Sequence, residues 1–347
     1  MKPKERFLRR LKGQDVDKVP AGCTTAYGVV DLMKRCGCER PLADVDPACM
    51  AGLSMAGHTI AGFDWVKAMG WDITAVSEAL GCTLGEPAID SQYYIASHPF
   101  AQSIENLECP RDLLSRGRFP AYREQFRLLK EKVGNDLVIF GMSEGPFTCA
   151  ANLVGTDRMM RATIKEPTFV EKALDVTAEA LIQVIRFAFS NGADYFCMAD
   201  PTSGGDLLSP KSWERIVSPV IRRIVNAVDG PIVLHICGNI DKIIPSMCET
   251  GIVGISLEEK TDLKAAIETA RARGVRVFGN VAAASTLFMG TEEDCYREAM
   301  AALESGVDFL APGCGIAPNS PLENVLQLRR ARDDFHQDKQ AGRPESS

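Results

Sequence analysis

Two apolar runs of this chain end in soft metal ligands. Ile232 to Asn239 reads IVLHICGN and carries His235 and Cys237, while Phe309 to Pro318 reads FLAPGCGIAP and carries Cys314. A His-x-Cys pair with a distant lone cysteine suits a zinc ion that keeps one coordination position for substrate, because structural zinc takes four Cys or His ligands in closely spaced pairs. Two residues apart on a strand, His235 and Cys237 point to the same side and can share one ion. The competing reading is a core histidine beside two buried cysteines; it leaves an imidazole in need of hydrogen-bond partners and makes GCG a poor packing segment. Glu258, in ISLEEK, is the best fourth ligand, with Glu259 or water as alternatives. Its plain reading is a carboxylate favoured at a helix N-terminus. Two thiolates and a neutral imidazole leave zinc formally uncharged, so a weakly held carboxylate can leave when substrate arrives. A coordinating thiol loses its proton. Because two thiolates already donate to the metal, an incoming thiolate stays nucleophilic, and the set favours thiolate alkylation over hydrolysis.

The elements that must position these ligands are short β-branched runs, each followed by small or polar residues and then a longer helical pattern. Eight such runs can be marked: Val19 to Thr24, Trp71 to Ser77, Leu137 to Glu144, Asp194 to Asp200, Ile232 to Cys237, Val253 to Glu258, Val275 to Val281 and Val307 to Pro312. Helix-like stretches lie between the later ones, such as Thr168 to Ser190 and Glu292 to Ser305. Strand then helix, repeated, predicts an α/β fold with a parallel sheet, and eight units favour a closed (β/α)8 TIM barrel over a doubly wound sheet. An N-terminal extension precedes the barrel. Residues 82 to 110 hold Gly, Pro and aromatic residues without helical periodicity, and predict an irregular insertion between the second and third strands, a lid or a packing element.

Active sites of such barrels collect at the C-terminal mouth. Glu144, Asp200, His235, Cys237, Glu258, Asn280 and Cys314 all end or follow a candidate strand. Asp200 and Asn280 are therefore expected to line a common cavity, with Glu144, ahead of GPFT, of similar standing as a catalytic candidate. Asp200 and Asn239 are the candidates for contacting a large cofactor. For each, bonding to a loop backbone is the alternative. The phosphate-cradling patterns GxGxxG and GxxxxGK[ST] do not occur.

With 347 residues, 46% hydrophobic and 24% charged, the chain has the balance of a globular protein with a large core. A net charge of -7 without a basic stripe argues against nucleic acid as partner. The opening MKPKERFLRRLKG is basic, yet Phe7, Leu8 and Leu11 have helical spacing rather than the unbroken apolar core of a signal peptide. No segment is apolar for long enough to span a bilayer, so no membrane and a cytoplasmic location are expected. Twelve cysteines without an export signal argue for reduced thiols. Cys149, Cys197, Cys248 and Cys295 read as small hydrophobes, and Cys36 with Cys38 in RCGCE as a loop of thiols or a second soft site. The closing HQDKQAGRPESS lacks apolar periodicity, which predicts one domain over 1–335 and a disordered tail over 336–347.

HICGN, APGCGIAP, ADPTSGGDLLSP (Ala199 to Pro210), GPFT (Gly145 to Thr148) and the opening KERFLRRLKG with DKVP together resemble the methylcobamide:coenzyme M methyltransferases. These belong to the wider uroporphyrinogen decarboxylase superfamily, and the resemblance runs from about Pro3 to about Arg332. The zinc motif is its specific part, since GPFT and the barrel pattern are shared with the decarboxylases. The resemblance implies a (β/α)8 barrel and a Zn2+ site at His235, Cys237 and Cys314 with Glu258 as reversible ligand. It implies transfer of a methyl group from a methylcobamide, carried by a partner corrinoid protein, to a small thiol acceptor. Cobalamin-independent methionine synthase is a more distant parallel with a similar His, Cys, Glu and Cys set. Homocysteine or tetrahydrofolate are alternative acceptors. A tetrapyrrole decarboxylase is the competing function, against which stands CTTAYGVVDLMKRCG, where the arginine-rich signature of those enzymes is missing. A zinc-dependent thiol sensor or corrinoid-binding adaptor is the non-enzymatic reading.

Overall fold

Short strands whose alternate residues face inward wrap around a common axis. The computed structural model describes residues 1–341, with side chains to 337. The strands in chain order are β1 (Trp65–Lys67), β2 (Leu84–Gly85), β3 (Tyr94–Ile95), β4 (Val138–Glu144), β5 (Tyr195–Ala199), β6 (Ile232–His235), β7 (Gly254–Ser256), β8 (Arg276–Val281) and β9 (Phe309–Pro312). β2 and β3 form a separate antiparallel hairpin, and the other seven make one parallel sheet in the order β1-β4-β5-β6-β7-β8-β9. Residues 20–22 close it. Gly22 N–H donates to the Leu310 carbonyl at 3.0 Å and Leu310 N–H to the Pro20 carbonyl at 2.9 Å, while Asp64 N–H, next to β1, donates to the Ala21 carbonyl at 2.8 Å. The first run is thus the eighth stave of the barrel, reduced to a bridge because Pro20 has no N–H to give a ladder.

The second expected run is displaced. The strand is Trp65–Lys67, whereas residues 71–74 form a rim loop that leads into the helix Ala75–Ala79. Trp71 and its β-branched followers imitate a strand, but the tryptophan is buried edge-on against Tyr27 at 5.0 Å and its Nε1–H donates to the Ala43 carbonyl at 3.0 Å. The true strand is three residues long and ends in a lysine, which hides it in a pattern search. The insertion after it is present and carries the β2–β3 hairpin.

The helix Pro3–Leu11 plugs the barrel floor. Phe7 lies among inward rings, 5.1 Å from Tyr195 and 4.6 Å from Phe309, and Phe278 stacks on Phe309 at 4.0 Å. Each such pair adds about 0.5–1.5 kcal/mol beyond the area it buries. Arg6, on the same helix, pairs with Asp17 at 2.7 Å and Asp64 at 3.1 Å, and Asp64 also takes Arg332 at 2.8 Å. The basic opening is a structural plug.

The helix Leu322–Ala341 runs through residues 336–341, past the point where the composition predicts a tail. Anchors at its far end explain the difference: Lys18 pairs with Asp333 at 2.9 Å, and Val19 N–H donates to the His336 ring at 2.8 Å. The rest of the expected tail, 342–347, lies outside the described residues. Among the described residues no helix is long and apolar enough to cross a membrane.

Candidate metal centre

β6 ends at His235, and Cys237 follows in the first turn beyond it. Cys314 sits two residues past the end of β9, and closure of the barrel brings it across the mouth. His235 Nε2 is 3.1 Å from Cys237 Sγ, which is 3.4 Å from Cys314 Sγ, and the three donor atoms all lie within 4.8 Å of one another. A tetrahedral zinc with ordinary Zn–N and Zn–S bonds sets its donors about 3.3–3.8 Å apart, so three donors this close can share one ion after a small adjustment. His235 Nδ1 pairs with Ser256 Oγ at 3.1 Å, which turns Nε2 toward the sulfurs, and Ser256 in turn meets Thr24 Oγ1 at 3.4 Å. Such outer partners orient metal-binding imidazoles.

The three donors are electrostatically coupled to one another. Cys314 is held well below the ordinary thiol range by the Cys237 hydrogen bond and then by His235, both acting against burial. Cys237 is pushed up by that same hydrogen bond, by burial and by the Glu258 charge. Burial lowers His235, but the hydrogen bond and charge of Cys314 outweigh it and leave the imidazole raised.

Two glycines make the geometry possible. Gly238 takes a left-handed φ of 84°, which folds the chain back after Cys237 so that its N–H donates to Glu258 Oε2 at 2.7 Å. At Gly313 a Cβ would stand 3.0 Å from the Glu258 Cα, so a side chain there would push the loop carrying Cys314 away.

The other expected residues are placed differently. Glu258 is beside the donors but outside the three-residue cluster, its carboxylate held by Gly238 N–H and 3.9 Å from Lys260 Nζ. Asp200 does not line the cavity: its carboxylate accepts from Thr148 N–H at 2.6 Å and Phe147 N–H at 3.4 Å, capping the helix Pro146–Val154. Glu144 turns away to Ser77, accepting from its N–H at 2.7 Å and its hydroxyl at 2.8 Å. Burial pushes Glu144 up to about 7, and its second oxygen has no partner among the described residues. Asn239 braces the loop, donating to the Lys260 carbonyl at 3.2 Å and accepting from Asp241 N–H at 3.2 Å. Asn280, one residue before the end of β8, is half-buried and is not on the cavity wall. Strand ends do collect at the mouth, but orphan N–H groups of helices and loops claim these polar side chains first. Cys36 and Cys38 join no three-ligand cluster among the described residues.

A cavity of about 110 Å³ opens on the three donors. Its opposite wall is Trp71, Asp72, Gln92 and Met142, none of which was singled out in the sequence. Met142 had a signal, since it is an inward position of the third run. Asp72 lies in the run that imitates a strand, and Gln92 in the insertion carries no local signal. Burial pushes Asp72 up, but the charge and hydrogen bonds of Arg118, with Thr74, outweigh it and hold the carboxyl at about 2.

A model of the uroporphyrinogen decarboxylase (URO-D) family matches residues 2–335. The chain belongs to the uroporphyrinogen decarboxylase family. Within it, the chain is 37% identical over 333 residues to the methylcobamide:CoM methyltransferase MtaA of Methanosarcina barkeri, covering 96% of this chain and 98% of the relative. A solved methyltransferase from Methanosarcina mazei superposes with a TM-score of 0.93 at 39% identity, over 97% of this chain and 99% of that one. The chain is a methyltransferase of this family. A B12-independent methionine synthase from Shewanella, at 14% identity and a TM-score of 0.62 over 93% of this chain and 99% of that one, shares the fold. The barrel expected from the strand and helix pattern is the fold of this chain.

Proposed function

We propose that the chain transfers a methyl group from a methylated corrinoid, carried by a separate corrinoid protein docked over the mouth, to a small thiol such as coenzyme M. The observation that carries this is the N, S, S donor set facing a cavity with room for only a few heavy atoms. Drug-sized ligands need several times that space, and a tetrapyrrole more. A zinc ion held by His235, Cys237 and Cys314 supplies, when bound, the Lewis acidity that removes the proton from an acceptor thiol.

In the transfer the thiolate sulfur bonds to the methyl carbon as the carbon–cobalt bond breaks. The bonding pair stays on cobalt, which passes from Co(III) to Co(I), and the thiol proton goes to solvent. Cys237 and Cys314 keep the acceptor electron-rich, Ser256 orients His235, and the buried faces of Trp71 and Met142 exclude water from the attack path. Glu258 is the candidate reversible partner of the centre, which requires its carboxylate to release Gly238 N–H. Positioning of sulfur and methyl carbon in line supplies much of the rate.

The test is to incubate zinc-loaded protein with methylcob(III)alamin and 2-mercaptoethanesulfonate and to follow Co(I) optically and the thioether by mass. Formation of both in equal amounts is expected. Absence of thioether with every thiol tried, together with CO2 release from a porphyrinogen, would replace this reading with decarboxylation.

A further inference from the structure

Lys67 ends β1 at the mouth side of the barrel. It stands two residues after Trp65, so both side chains enter the lumen, the indole among the rings of the floor and the lysine one layer higher. The residue is 0% exposed. Its main chain is well provided, with N–H donating to Tyr27 Oη at 3.1 Å and the carbonyl accepting from the Ser54 hydroxyl. Its ammonium is not. The hydrogen-bond partner of Nζ is Met142 Sδ at 3.7 Å, a weak thioether acceptor, and the Trp71 ring centroid lies 5.7 Å away. Asp72, the carboxylate whose charge favours the ammonium, is already held by Arg118 through both oxygens.

A buried ammonium without an oxygen acceptor costs several kcal/mol, and an apolar side chain of similar volume would do as well or better for packing. Burial lowers Lys67 to about 8 against the Asp72 charge, with Cys23 and Cys197 also facing it and Arg40 acting with burial. Met142, the partner of Nζ, and Trp71, whose ring Nζ overlies, are also walls of the cavity on which the metal donors open. Met142 is unbranched and turns readily between rotamers.

We propose that Lys67 recognises an anionic group on the methyl acceptor, with the thiol end at His235, Cys237 and Cys314 and a sulfonate or carboxylate a few bonds away reaching the ammonium as Met142 turns aside. This rests on the thiol-acceptor reading above. The small cavity requires both ends to belong to one compact molecule, and a bound anion gives the lysine the partner that the fold withholds.

The test compares three acceptors of matched length, 2-mercaptoethanesulfonate, 3-mercaptopropionate and 2-mercaptoethanol, with methylcob(III)alamin as donor and zinc-loaded protein. The wild type is expected to favour the anions over the alcohol by at least about tenfold in kcat/KM, and the ranking of sulfonate against carboxylate tells which anion the site is built for. Lys67→Met and Lys67→Gln are expected to lower kcat/KM for the anions by about 10–100-fold, mainly through KM, and to leave 2-mercaptoethanol within about twofold. Ethanesulfonate, which has no thiol, should compete with the anionic thiols on the wild type and not on the variants. Equal loss with all three thiols means the lysine only supports the structure and overturns the proposal. Should the variants not fold, lack of anion preference and of ethanesulfonate competition in the wild type overturns it alone. Turnover of the alcohol without anion preference sinks Lys67 and leaves methyl transfer standing, whereas no turnover of any thiol removes both.

Discussion

Below the mouth the lumen is filled with rings, and at the mouth it is lined with sulfur, imidazole and amine, although the same strands supply both. Trp65 is followed two residues later by Lys67, Phe140 by Met142, Tyr195 by Cys197 and Val233 by His235. One step along the period of two changes packing into chemistry. The lower half is dry and stiff, with Phe140 stacked on Tyr195 at 4.9 Å and Phe278 on Phe309 at 4.0 Å. That floor keeps water from the groups above it, where a low local dielectric strengthens every charge interaction. Stability and reactivity are thus stacked in adjacent layers of one barrel.

The sharpest way to break this division is to remove a donor from the upper layer. Cys314→Ala is expected to abolish zinc retention, measured by metal analysis, and to lower thiol methylation by at least about 1,000-fold, equal to about 4 kcal/mol, while the thermal midpoint of the zinc-stripped protein stays near that of the stripped wild type. Undiminished turnover would place the chemistry elsewhere. Phe278→Ala does the converse in the lower layer: a loss of about 3–4 kcal/mol in denaturant unfolding, with turnover per folded molecule nearly unchanged.

Glu144 tests whether a buried acid at a strand end belongs to packing or to catalysis. Its folded value of about 7 stands above the ordinary 4.5, so its contribution to stability is complete below about pH 4.5 and lost as pH rises to about 7. Glu144→Gln should be more stable than wild type at pH 8 relative to pH 5, by up to about 3 kcal/mol, as read from urea midpoints at both pH values. A pH-independent difference would show that the carboxyl is ionised throughout. The smallest effect is expected behind the imidazole, where Ser256→Ala should weaken zinc affinity by about 10–100-fold in competition with a chelator and leave folding intact. Unchanged affinity would mean that His235 is oriented by its backbone alone.

Much of the fold was legible because strands and helices alternate with local periodicities that need no knowledge of the rest of the chain. Seven of the eight marked runs contain or lie within two residues of the staves. The exception, Trp71 to Ser77, shows the limit, since buried aromatic and β-branched residues satisfy the same pattern whether they sit in a strand or pack beneath a rim loop. The polar strand ends show another. Glu144 ends β4 and Asp200 follows β5, but whether such a carboxylate faces the axis or a neighbouring N–H depends on where the next helix begins, as Thr148 and Ser77 demonstrate. Lys67 was overlooked because a lysine ending a three-residue strand looks like a solvated charge until its surroundings are known.

The order of residues by itself determined the donors and their side: an imidazole and a thiol two apart at the end of an apolar strand face the same way, because alternation is a property of the extended backbone. The barrel decided the remainder. Cys314 comes within 3.4 Å of Cys237, and the buried Lys67 ammonium meets Met142 and no oxygen acceptor among the described residues, because ring closure and helix packing bring together groups remote in sequence. Proximity of that kind is written in no local pattern, since it is settled by the register and burial of the whole sheet at once.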